Sequence, residues 1–103
     1  MATRESIEMD FKNAMSQADK VDGIADRLTK LSNKQFQSTL QNVNAGWKGD
    51  NANLYLQKGA KLKTKMNASA EDLHGVASDI RSAAKRIYNA EMMALSIATG
   101  RTY

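Results

Sequence analysis

His74 is the only histidine in this 103-residue chain, and Glu71, Asp72 and Ser78 lie within about one helical turn of it. A hydroxyl, an imidazole and a carboxylate are the parts of an acyl-transfer triad, in which the base must reach the nucleophile and be oriented in turn by the acid. Those groups must converge on a pocket, whereas neighbours on a single helix point outward together. The cluster therefore reads as a solvated helix face, and no enzyme is expected. One histidine and no cysteine cannot supply the usual ligand sets of a zinc site, so no metal is expected. Gly46 and Gly49 lack the spacing of a phosphate-binding loop, and neither a cofactor nor a small-molecule substrate is expected.

Phosphate recognition by lysine and arginine is the rival chemistry. Lys58, Lys61, Lys63 and Lys65, followed by Arg81, Lys85 and Arg86, would form a basic stripe on a helix, and the formal net charge is +4. Basic residues spread along the chain and interleaved with Asp and Glu read instead as solvated helix surface. The aromatic residues occupy seam positions rather than alternating with the lysines, so no nucleic acid is expected as a partner. Insertion of a loosened amphipathic hairpin into a membrane is a further alternative.

The elements that would carry these residues are helices. Proline is absent, aromatics make up only 6%, and the apolar content comes largely from helix formers. Apolar or small residues at Ile7, Phe11, Ala14, Ala18, Val21, Ala25 and Leu28 alternate steps of four and three, the period of one helix face. After Leu28 the stripe slips by one residue through Ser32 and resumes at Phe36, Leu40, Val43 and Trp47, the pattern of a stutter within a continuing helix. A second stripe runs without a slip from Ala52, Tyr55, Gly59 and Leu62 to Ile87, Ala90, Ala94 and Ile97. The fold class expected is all-α: one domain over residues 1–103, with helix 1 at about 4–44, a turn at about 45–50 and helix 2 at about 51–98.

Glycines bracket the turn. Gly46 is expected to close helix 1 in the left-handed conformation, Gly49 to let the chain reverse, and Asp50 to cap helix 2. A tight connection between long helices makes them an antiparallel hairpin. Two helices leave apolar surface wet, and Ile24, Leu31, Leu54, Leu56, Met92, Met93 and Leu95, with Ala70, Ala77 and Ala84 spaced seven apart, are the expected partner face. Dimerisation into a four-helix bundle is the simplest closure.

A chain of this length with a central Trp47-Lys48-Gly49 turn, followed by Ala52 and Tyr55, resembles the WXG family of small type VII secretion substrates of Gram-positive bacteria. The resemblance implies a homodimer, or a heterodimer with a related helical protein or an effector's N-terminal domain, recognised by the secretion ATPase. It implies export without a cleavable signal peptide from a cytoplasmic precursor or, alternatively, a cytoplasmic role as targeting partner of a larger effector toxin. The family's C-terminal Tyr-x-x-x-Asp/Glu signal has a degenerate counterpart in Tyr88 and Glu91, where the acid stands three residues after the tyrosine.

Overall fold

The computed structural model describes residues 3–46 and 49–100. Among them it contains helices and no strands: α1 (Arg4–Lys30), a π-helical segment (Leu31–Phe36), α2 (Gln37–Gly46) and α3 (Asp50–Ala98). The chain is an all-α helical hairpin. Thr3 opens α1: its carbonyl accepts the Ile7 N–H at 3.0 Å and its hydroxyl accepts the Ser6 N–H at 3.1 Å, while Ser6 Oγ accepts the Thr3 N–H at 2.9 Å. This reciprocal pattern satisfies donors that a helix start otherwise leaves unpaired.

The one-residue slip after Leu28 coincides with the π-helical segment. Widening the turn there takes up the extra residue and keeps the apolar stripe on one side. At the other end of α2, Gly46 is helical, and the positive φ of 105° falls on Gly49. Gly49 also accepts the Asn53 N–H at 3.2 Å, so it holds the cap position expected of Asp50, which becomes the first residue of α3. Trp47 and Lys48 lie outside the described residues. Gly100, with φ 72°, closes α3.

Contacts divide the chain into two compact units. In the unit of residues 1–21 and 75–103, the α1 and α3 segments run antiparallel, with Phe11 against Tyr88 and Asp19 against Arg81. Its buried residues are Ile7, Ala18, Ala77 and Ala84. The unit of residues 22–74 is also antiparallel, since Asp22 meets His74, Ser32 meets Asn67, and Gln37 meets Lys63. Ala25, Ser32, Ala52 and Ala70 are buried there, and a Cβ on Gly59 would overlap the Leu40 side chain.

Three columns of residues spaced seven apart run along α3, and they divide differently from the sequence expectation. Ala52 and Gly59 are buried and Met66, Leu73 and Ile80 half-buried, as a seam requires, although Ile87 in the same column is exposed. The second inward column is Leu56, Lys63, Ala70, Ala77 and Ala84, not Tyr55, Leu62, Ser69 and Val76. Small residues on both sides explain the choice, because the distance between packed helices is set by the side chains at their contact. Ala18 and Ala25 of α1 and the alanines of α3 admit close approach, whereas Leu62 or Val76 would hold the helices apart.

Candidate functional site

The alanine row is therefore internal. Ala70, Ala77 and Ala84 are 2%, 0% and 7% exposed, which corrects their assignment to a partner face. Of the other residues expected there, Leu54 is exposed, and Leu56 and Leu95 are half-buried. The bulky apolar residues left outside overlap that face only in part. In the 22–74 unit they include Ile24, Leu31, Tyr55 and Leu62; in the other unit they include Met9, Val76, Ile87, Met93 and Ile97. Ile24, Leu31 and Met93 stand off the stripes in the sequence, whereas Tyr55, Leu62, Val76, Ile87 and Ile97 were missed because their place on the stripe ranked them as core.

Tyr88 and Glu91 are brought together. Both line a cleft of about 190 Å³ with Ile7, Phe11 and Ile87, and the Tyr88 ring packs on Phe11 with centroids 5.0 Å apart and planes tilted by 47°. This contact makes Tyr88 part of the packing between α1 and α3, as well as a candidate signal residue. Gly49 is exposed at the start of α3, while its motif neighbours Trp47 and Lys48 lie outside the described residues.

His74 faces α1 rather than its own helical neighbours. Nδ1 lies 2.7 Å from Asp22 Oδ1, and Nε2 lies 3.3 Å from Asp26 Oδ1, so two carboxylates one turn apart flank the ring. Its pKa is raised from the usual 6.5, first by the hydrogen bond with Asp22, against some desolvation, and further by the negative charges of Asp22 and Asp26 and the bond to Asp26. When protonated, both ring N–H groups have an acceptor, and the imidazolium ties the two arms together. Asp19 accepts a bond from Arg81 at 2.8 Å in the other unit. No sequence signal links His74 to a partner 52 positions away, whereas the i, i+4 spacing of Asp22 and Asp26 was visible.

The charges do not interleave evenly. Eight of the fifteen Lys and Arg residues fall between Arg27 and Ala70, whereas Asp50 is the one acid of eleven in that span. The expectation of mixed signs is thus corrected for the middle of the chain, and a running charge count would have found this. Lys63 Nζ donates to Gln37 Oε1 at 2.9 Å, while Lys58, Lys61 and Lys65 are exposed on α3. Beside them, a groove of about 460 Å³ opens between Phe36, Leu40, Gly59 and Leu62.

Among the described residues, no group of three or more His, Cys, Asp or Glu side chains is placed to hold a metal ion, and no helix is long and apolar enough to cross a membrane. No curated protein and no solved structure matches the chain. Residues 6–92 match WXG100, described as proteins of 100 residues with WXG, a non-enzymatic helical family associated with secretion. With that match spanning most of its length, and with Trp47-Lys48-Gly49 near the middle of the sequence of an all-α hairpin, the chain belongs to the WXG100 family, small helical proteins linked to type VII secretion.

Proposed function

We propose that this chain is a non-enzymatic pairing module of type VII secretion. It docks the bulky apolar residues of α3 against a related helical chain, as a homodimer or heterodimer, and leaves the cell without a cleavable signal peptide through the secretion ATPase. The observation that supports this most is the division of α3: alanines are spent on the internal seam, while Tyr55, Leu62, Val76, Ile87 and Ile97 stay at least 47% exposed. Covering each of these would contribute on the order of 1 kcal/mol, taking half of the gain from burying a whole apolar side chain. A hairpin with so small a core gains substantially from such a cover.

In this reading, Trp47 and Gly49 belong to the surface that the secretion machine recognises, with Tyr88 and Glu91 as a terminal signal. Trp47→Arg should abolish export, measured by immunoblot of culture medium against cells, while far-UV circular dichroism keeps its helical signature. Unchanged export would leave the turn with a structural role alone. The alternative role, as cytoplasmic targeting partner of a larger effector, is favoured by the packing of Tyr88 on Phe11, which commits part of the terminal signal to the chain's own interior. Co-purification from the native organism distinguishes the two: a larger effector bound in the cytoplasm supports targeting, and a second small helical chain supports export as a pair.

A further inference from the structure

The groove of the 22–74 unit combines an apolar lining with one lysine, Lys58, in a span of the chain rich in bases. Phe36, Leu40 and the bare backbone of Gly59 are half-buried or buried in it, while Tyr55 and Leu62 are 60% and 48% exposed at its side. Lys58 stands at the same groove, and Lys61 and Lys65 follow at i+3 and i+7 on α3. Its volume of about 460 Å³ lies within the usual range for a ligand site of roughly 300–1,000 Å³. A groove of that size admits the apolar side of a helix presenting residues at i, i+3 or i+4, and i+7.

From these features we infer that this groove takes an acidic amphipathic helix of a different chain, whose apolar side enters between Phe36, Leu40 and Leu62 and whose carboxylates meet the lysine row. The inference rests on the pairing role proposed above and adds the chemistry of the partner. Charge decides the sign: a span with eight bases and one acid attracts carboxylates from a distance and repels another basic surface. The concave apolar lining between Phe36, Leu40, Tyr55 and Leu62 fits the ridge of a helix better than a flat lipid surface.

The test uses the full chain, labelled with nitrogen-15, and a synthetic helical peptide with Leu at the inward spacing and Glu elsewhere; a control peptide carries Lys in place of Glu. The Glu peptide should bind saturably and shift the amides of Phe36, Leu40, Gly59 and Leu62, and its affinity should fall roughly tenfold as ionic strength rises from about 0.05 to 0.5 M. The Lys peptide should not bind. The triple variant Lys58→Glu, Lys61→Glu, Lys65→Glu changes exposed side chains and should fold; it should lose the Glu peptide by about tenfold and gain the Lys peptide. Leu62→Asp should weaken the Glu peptide without loss of helicity.

Equal binding of both peptides, shifts confined to other residues, or indifference to the triple variant would overturn the inference. So would groove shifts produced by concentrating the chain alone, by phosphatidylglycerol vesicles or by duplex DNA in the absence of any response to the Glu peptide, since each names a different occupant. Peptide binding that persists in a chain that is not exported would sink the secretion role alone. Export without peptide binding would sink this inference alone.

Discussion

The two compact units solve the same packing problem with different materials. In the unit of residues 1–21 and 75–103, the arms meet through bulk as well as alanines: Ile7 is buried and Phe11 packs on Tyr88. In the unit of residues 22–74 the half-buried Leu56, Met66 and Leu73 are joined by small and polar groups. Ser32 is fully buried and donates to Asn67 Oδ1 at 2.6 Å, Gly59 abuts Leu40, and a π-helical segment interrupts the first arm. Aromatic packing supplies more apolar burial per residue, whereas directed hydrogen bonds and a widened turn fix register with little of it. The difference leaves the first unit held by bulkier packing and the second by directed polar contacts, with the apolar groove and most of the basic span in the second.

Substitutions in each unit can break or sharpen that contrast. The largest effect expected is from Phe11→Ala, which removes the ring stacked on Tyr88 and should cost about 2–4 kcal/mol in chemical denaturation, toward the lower part of the range for large-to-small aromatic changes because the ring is half-buried. Gly59→Val should cost about 1–3 kcal/mol by forcing the new side chain against Leu40. Pairing it with Leu40→Ala should recover part of that loss, and strict additivity in the double-mutant cycle would show that the two residues do not touch.

Ser32→Ala should cost about 1 kcal/mol, because it removes the donor to Asn67 while the turn stays wide. The smallest effect expected is that of pH on the His74 clamp. Its folded pKa lies above the usual 6.5, so the clamp contributes fully below about pH 6.5 and is lost as pH rises through the raised folded value. Thermal melts should therefore show wild type losing stability over that rise relative to His74→Gln, which lacks the titrating ring. Parallel pH profiles for the two proteins would remove the clamp from the account.

Helical class was legible because absent proline and a sustained three-four alternation leave no competing element. The slip after Leu28 was legible as an extra residue. Its form as a π-helical segment was not, since a stutter can also be absorbed by gradual unwinding. The inward side of α3 was misread at Tyr55, Leu62 and Val76. Three columns there satisfy the same period, and hydrophobicity alone ranks the bulky one first, whereas close approach of Ala18 and Ala25 favours the alanines. Four lysines of the basic span were legible as a stripe, but the scarcity of acids around them was averaged away in a whole-chain charge of +4. The Asp22 and Asp26 partners of His74 were out of reach of any local pattern, because only the antiparallel register brings them together.

The most direct measurement compares Ala70→Glu with Leu62→Glu, two acidic substitutions on one helix of one unit, by circular dichroism together with binding of the native partner. If alanines form the seam and bulky residues face outward, Ala70→Glu buries a charge and melts helicity at a cost of several kcal/mol, while Leu62→Glu keeps full helicity and loses the partner. The opposite pair of results, with Leu62→Glu unfolded and Ala70→Glu intact but unable to pair, would contradict the account.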